Sequence, residues 1–350
     1  MPSASSIESE KPPRRRDHVP APNHGYRSPE FLAPLRRIWL ASDQLCGKRL
    51  KAALPLWLPH YEARYGALPE PVRANLLQVS AATLDRLLKP LRVQYPQGLG
   101  GTKPGSLLKT QIPIRTHHWD ETLPGFMEAD TVAHCGNSLA GDFVWSLTLT
   151  DLVSGWTECR ATWNKGAHGV LEQIQAIERR LPFPLRGFDC DNGSEFLNHH
   201  LLRYFTDHPN KPSFTRSRPY KKNDNAHVEQ KNWTHARQLF GYDRLDKPEI
   251  VALMNDVYSQ LWCPLQNHFC PSLKLKTKLR DGAKYRKTYH PPQTPYQRLL
   301  DHPKVPEPTK EALRQHHQQL NPFEIKAQIQ QHLKLIFSTI SVTPNVRHRL

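Results

Sequence analysis

The stretch Phe188-Asp189-Cys190-Asp191-Asn192-Gly193-Ser194-Glu195-Phe196 decides the fold. It closes the short apolar run 185–190 and then turns at Asn-Gly, so two acids stand at the end of a predicted strand. Residues two apart on a strand share a face, and either Asp189 or Asp191 can reach a common ligand. Upstream, residues 126–135, 143–150 and 156–163 are strand-length runs rich in Thr, Val, Trp and Phe, with turn residues at Gly136-Asn137 and Ser154-Gly155. Residues 167–180 place Val170, Leu171, Ile174 and Ile177 on one helical face. Downstream, 194–205 reads as a helix with Phe196, Leu197, Leu201 and Phe205 inward, and 225–240 as a helix begun by an Asp224-Asn225 cap and stopped by Gly241. Successive strands followed by strand and helix alternation predict an α/β fold: a mixed sheet with helices on its faces.

Two further acids belong with this stretch. Glu128-Ala129-Asp130 lies in the first strand, and Glu229 in the opening turns of the helix begun at Asn225. The net charge of +16 divides into +9 over residues 1–120, −2 over 121–250 and +9 over 251–350. Basic flanks around a mildly acidic centre suit a protein that binds a polyanion. Carboxylates gathered in such a protein repel phosphate unless a cation stands between them. Mg²⁺ takes oxygen ligands and is commonly held by one or two carboxylates together with substrate phosphate. Two such ions ~3.5–4 Å apart activate an attacking oxygen and stabilise a leaving one at phosphorus. Two aspartates and one glutamate suffice for that arrangement, whereas a single strand-end acid is usually solvated or a cap.

The longer strings around the acids carry a resemblance. The stretch 188–196 and Pro219-Tyr220-Lys221-Lys222-Asn223-Asp224-Asn225-Ala226-His227-Val228-Glu229-Gln230-Lys231-Asn232 resemble the second and third acidic motifs of the integrase core of retroviral-integrase-like DDE transposases. Glu128-Ala129-Asp130-Thr131-Val132 stands ahead of them in the family's order, with 60 residues between Asp130 and Asp191 and 37 between Asp191 and Glu229, close to its spacing. The resemblance implies a ribonuclease H-like core over 119–270 in which Asp130, Asp191 and Glu229 are catalytic and hold two Mg²⁺ or Mn²⁺ ions. It implies cleavage and strand transfer at the ends of a mobile element in double-stranded DNA, performed by a homo-multimer that holds two ends. Matching the motifs selects Asp191 over Asp189 and Asp130 over Glu128, while His134 and His227 read as supporting or packing residues. Beside a phosphoryl-transfer site, Arg216, Arg218, Lys221, Lys222 and Lys231 read as contacts to the DNA backbone. Tyr220 on the same loop is suited to stack on a base or deoxyribose.

The flanks read differently. Residues 1–28, with Lys11-Pro12-Pro13-Arg14-Arg15-Arg16, are predicted to be a disordered basic tail. Residues 29–93 show helical spacing, and within them 69–79, Ser80 and 81–91 read as helix, tight turn, helix. Ser80 is the N-cap, Leu84, Leu87 and Leu88 form the inward stripe, and Thr83, Arg86 and Lys89 lie off it, where a recognition helix presents side chains to a major groove. That segment resembles the DNA-binding helix-turn-helix of bacterial insertion-sequence transposases and takes the place of the His-His-Cys-Cys zinc module of retroviral integrases, since His117-His118 lack a following cysteine pair. Residues 94–118, broken by Gly98, Gly100, Gly101, Pro104, Gly105 and Pro113, form a linker. Over 271–350, Lys274, Lys276, Lys278 and Arg280 alternate as on one face of a strand or in a solvated basic loop, either of which suits DNA. Thr294-Pro295-Tyr296-Gln297-Arg298-Leu299-Leu300 resembles the motif that follows the family's core, and residues 322–337 fit a helix or part of a small β domain.

Composition narrows the classes further. No window reaches 18 uncharged apolar residues and the N-terminus has no apolar signal region, so spanning a membrane and Sec-type secretion are disfavoured. The six cysteines form no C-x-x-C pair, which fits a reduced compartment, here the cytoplasm and its nucleoid, and suggests neither a disulfide framework nor a zinc ribbon. The expected function is that of a DNA transposase or integrase; a ribonuclease H-like nuclease and a non-catalytic DNA-binding regulator derived from a transposase are the alternatives.

Overall fold

The computed structural model describes residues 26–94, 121–191, 193–216, 231–281 and 284–340. Four helices lead: α1 (Pro29–Ala41), α2 (Gly47–Tyr65), α3 (Glu70–Gln78) and α4 (Ala81–Gln94). Ser28 caps α1 by accepting from the Phe31 N–H, and Pro29 follows at a position that needs no N–H. At the start of α2 a Cβ on Gly47 would fall 2.2 Å from the Ala81 carbonyl oxygen, so glycine is what lets α2 press on α4. Asp85 ties that junction, accepting from the Gly47 N–H at 2.9 Å and from Arg92 at 2.6 Å. Val79 and Ser80 join α3 to α4, and Ser80 Oγ accepts from the Thr83 N–H at 3.1 Å.

The central sheet comprises β1 (Phe126–Ala133), β2 (Val144–Asp151), β3 (Thr157–Trp163), β4 (Gly187–Cys190) and β5 (Ser213–Arg216) in the order β3-β2-β1-β4-β5. β2 runs antiparallel to β1 and β3, while β1, β4 and β5 are parallel. Short turns suffice for the antiparallel pairs, and Gly155, at φ +75°, supplies the left-handed backbone of the β2–β3 turn. The parallel strands need crossovers, which α5 (Ala167–Glu178) and α6 (His199–Asp207) provide. Val170, Ile174 and Ile177 of α5 and Leu201 and Phe205 of α6 bury against Met127, Ala129 and Phe188 of the sheet.

The opposite face is covered by a long helix, α8, in which Ile250–Asp256, a π-helical stretch Val257–Trp262 and Cys263–Phe269 run on without a break. Before it comes α7, a π-helical turn Asn232–Arg237 continued by Gln238–Phe240 and stopped by Gly241 at φ +74°. After it come a hairpin, β6 (Leu275–Asp281) and β7 (Lys284–Tyr289), and then α9 (Pro295–Asp301), α10 (Glu307–Gln318) and α11 (Pro322–Thr339). The protein is therefore α/β, with a mixed parallel and antiparallel sheet flanked by helices. Among the described residues no helix is long and apolar enough to cross a membrane.

Several local expectations change. The helix read from 194 begins at His199, because Asn198 caps it by accepting from the Leu201 N–H, and 193–198 forms a turn instead. β5 is a strand the sequence pattern does not single out. Residues 322–337 lie in a helix, and the basic alternation at 276–280 lies on β6. Across the boundaries expected at 93 and 270, α1 to α4 share one buried cluster with α8, α11 and the β2–β3 edge. Trp57 shows why, since its fully buried ring donates to the Phe269 carbonyl at 2.9 Å and meets Phe323 edge-on at 5.2 Å.

Candidate functional site

Parallel pairing sets Glu128 against Asp189 and Ala129 against Cys190. β4 ends at Cys190, so Asp130 and Asp191 stand one step past the last β1–β4 pair, Asp130 still within β1 and paired with Thr148 of β2, Asp191 just after β4. The inner pair, Glu128 and Asp189, is fully buried, and Asp189 accepts from Thr215 Oγ1 of β5 at 2.5 Å. The outer pair, Asp130 and Asp191, is half-buried and reaches solvent. Asp130 is fixed by two donors, the Thr131 N–H at 2.7 Å on one oxygen and Asn232 Nδ2 of α7 at 2.5 Å on the other. Asp191 accepts from the Gly193 N–H at 2.9 Å. Burial raises the Asp191 carboxyl above its ordinary range, the charge of Glu195 adds to this, and the Gly193 N–H and Lys165 oppose it.

Glu195 is a site neighbour that the sequence reading did not nominate. It sits in the turn between β4 and α6, 4% exposed, with Oε1 accepting from Thr131 Oγ1 at 2.9 Å and Oε2 lying 3.5 Å from Lys165 Nζ. The turn is tight enough that its carboxyl lies over Gly193, where a Cβ would come within 2.6 Å of Glu195 Cδ. A signal was present in the sequence, an acid four residues after Asp191, but a helix beginning at 194 would have pointed it elsewhere.

The other nominated residues separate into groups. Glu229, Arg218, Tyr220, Lys221, Lys222 and His227 lie outside the described residues. Thr83 is partly exposed and Arg86 and Lys89 are exposed on α4, with Arg86 donating to Thr83 Oγ1 at 3.0 Å. Lys276 is exposed on β6; Lys278 and Arg280 lie on the same strand. Three cations read as DNA contacts are buried or partly buried. Arg216 is 5% exposed at the end of β5. Lys274 donates to the Val153 carbonyl at 2.6 Å, tying the hairpin to the β2–β3 turn. Burial, with Arg49 and Arg298 nearby, pulls the Lys231 ammonium down to about 7. His134 is fully buried, its Nε2 is 2.7 Å from Ser146 Oγ, and burial together with Arg237 pushes its pKa down to about 3, as for a packed neutral imidazole.

No protein-family model matches the chain. It is similar to the Uncharacterized protein y4rM of Sinorhizobium fredii (strain NBRC 101917 / NGR234), with 42% identity over 275 residues that cover 77% of each chain. The chain belongs to the y4rM family. A match of that length is longer than the segment from β1 to the end of α8, so what y4rM shares takes in helices outside the sheet as well.

Among the described residues, no group of three or more His, Cys, Asp and Glu is arranged to hold a metal ion. What the described part offers is two half-buried carboxylates, one on β1 and one just after β4, each with an orienting N–H. Oxygen donors of this kind fit a hard divalent cation, which is commonly held by one or two carboxylates.

Proposed function

We propose that the chain is a DNA transposase or integrase, a metal-dependent polynucleotidyl transferase with a ribonuclease H-like core. The observation that carries this reading is the placing of Asp130 and Asp191 one step past the last pair of two adjacent parallel strands, toward their carboxyl ends, the side on which open α/β sheets bind their ligands. The strand order, with β2 alone reversed, supports the ribonuclease H-like assignment. Asn232 on Asp130 supports Glu229 as the third acid: on the helix predicted over 225–240, residues three apart share a face.

In this reading Asp130, Asp191 and Glu229 hold Mg²⁺ or Mn²⁺, which when bound supplies the positive charge that lets phosphate approach and activates the attacking oxygen. The chain's own groups prepare the place. Asn232 and the Thr131 N–H fix the Asp130 carboxylate, and the Gly193 N–H fixes Asp191. Arg86 and Lys89 on α4 and Lys276 on β6 offer exposed cations to the backbone of double-stranded DNA. Water first hydrolyses the phosphodiester at the element end, leaving a 3′-hydroxyl there and a 5′-phosphate on the flanking strand; that hydroxyl then attacks a target phosphorus and displaces the 3′-hydroxyl of the cut target strand. Holding two ends at once calls for a homo-multimer, acting in the cytoplasm on the nucleoid.

The test is a strand-transfer assay with pre-cleaved element ends and a supercoiled target in Mg²⁺, comparing wild type with Asp191→Asn and Glu229→Gln. Joined products from the wild type alone support the transferase. Nicked target without joining turns the reading to a nuclease, and binding without cutting turns it to a DNA-binding regulator. A second readout needs no DNA: with chelator present, Asp191→Asn unfolds at a higher temperature than wild type, because it removes a carboxylate whose ionised form is disfavoured by burial.

A further inference from the structure

We infer that Lys165 is a phosphate-contacting residue of the candidate site, held at its mouth by Glu195 and the face of Trp145 and passed to a DNA phosphate when substrate arrives. The inference rests on the nucleic-acid reading above and adds to it a residue that none of the acidic motifs contains.

Lys165 lies between β3 and α5, in a turn built for its place. Asn164 adopts φ +50°, uncommon for a residue with a side chain, and its Oδ1 accepts from the Gly166 N–H at 2.8 Å. From there the ammonium stands 5.0 Å over the Trp145 ring and 3.5 Å from Glu195 Oε2. Trp145 pairs with Ala133 at the end of β1, three residues beyond Asp130. The charge of Lys165 also acts on Asp191, opposing the rise of its pKa.

Two features separate this lysine from the other cations nearby. Arg244 also lies over a ring, that of Phe143 at 5.2 Å, but it donates to the carbonyls of Cys135, Ser138, Ala140 and Asp142 and is committed to the fold. Lys165 has a side chain 46% exposed, and its ion pair is longer than the ~2.7–2.9 Å of a charge-assisted hydrogen bond. A loose pair of this kind contributes little to stability. An ammonium so placed offers a phosphate a cation beside carboxylates that would otherwise repel it, and Glu195 keeps it there between turnovers.

The test is fluorescence anisotropy with a labelled, blunt 40-base-pair duplex in chelator, across a salt series, for wild type, Lys165→Gln, Lys165→Arg, Asp191→Asn and Lys165→Gln/Asp191→Asn. Each phosphate contact contributes about −0.9 to the slope of log affinity against log salt. Lys165→Gln is expected to lower the slope by about that amount and to bind about threefold more weakly at low salt, while Lys165→Arg keeps both. Asp191→Asn is expected to bind more tightly than wild type. The double variant should depart from additivity, because the two side chains act on one phosphate. Unchanged slope and affinity in Lys165→Gln, with a shifted unfolding temperature, overturns the inference in favour of a structural ion pair. Additive effects place the contact elsewhere and also overturn it. Failure of the wild type to bind the duplex, or Asp191→Asn binding no more tightly than wild type, counts against the nucleic-acid site itself, which separates the two failures.

Discussion

A methyl group on Gly193 should cost about 2 kcal/mol of stability, and that cost should disappear when Glu195 is shortened. The backbone at Gly193 lies outside the left-handed region, so Gly193→Ala imposes no turn strain. Its conflict is with one side chain: the added Cβ would sit 2.6 Å from Glu195 Cδ and Oε2 and 2.8 Å from Oε1. Glu195 must then swing away, breaking its bond with Thr131 Oγ1 at 2.9 Å and leaving Lys165. A hydrogen bond to a charged group contributes ~1.5–3 kcal/mol, and the half-exposed ion pair adds little. In Glu195→Ala the obstructing atoms are gone, so a second change at Gly193 should cost no more than ~0.5 kcal/mol, a coupling of about 1.5 kcal/mol. Urea unfolding of wild type, both single variants and the double variant, followed by tryptophan fluorescence, measures all four corners, with m checked for constancy. Equal costs for Gly193→Ala in the two backgrounds would refute the packing of Glu195 over the turn, and with it the way Lys165 is held.

Two further outcomes follow from buried groups. His134, held at a pKa of about 3 against an ordinary 6.5, is neutral in the fold and takes up a proton on unfolding as pH falls below 6.5; its contribution is complete above that pH and lost toward pH 3, about 2 kcal/mol of it by pH 5. His134→Gln should therefore flatten the fall of the unfolding temperature between pH 7 and pH 5, and an unchanged fall would show that other groups set it. Trp57, fully buried with its indole N–H bonded to the Phe269 carbonyl, should cost ~3–5 kcal/mol as Trp57→Ala, measured by urea unfolding; a loss below ~1 kcal/mol would mean that the N-terminal helices do not share the core.

What the sequence made legible were the elements with a distinct local composition or period. β1, β2, β3 and α5 lie within a few residues of their expected places: the strands are short runs rich in Thr, Val, Trp and Phe bounded by turn residues, and the apolar residues of α5 repeat at three and four. β5 escaped for the opposite reason: Ser-Phe-Thr-Arg is four residues long, begins exposed and runs into basic residues, so its local pattern reads as a charged loop. The shared core was equally out of reach, since Trp57 and Phe269 are 212 positions apart and nothing local announces their contact. Charge misled at Lys274 because sequence records an ammonium and not the Val153 carbonyl that receives it.

The acids show most clearly where pattern stops and register begins. Glu128 and Asp130, like Asp189 and Asp191, are two apart and equivalent by alternation. Their difference is set by where β4 stops. Parallel pairing carries Glu128 and Asp189 into the middle of the ladder, where the neighbouring strands and helices cover them completely, and releases Asp130 and Asp191 one step beyond its last pair. At that step the backbone turns through Asn198-capped geometry into α6, brings Glu195 back beside Thr131, and meets Asn232 from α7. The chemistry available at this end of the sheet is therefore set by where β4 stops, at Cys190.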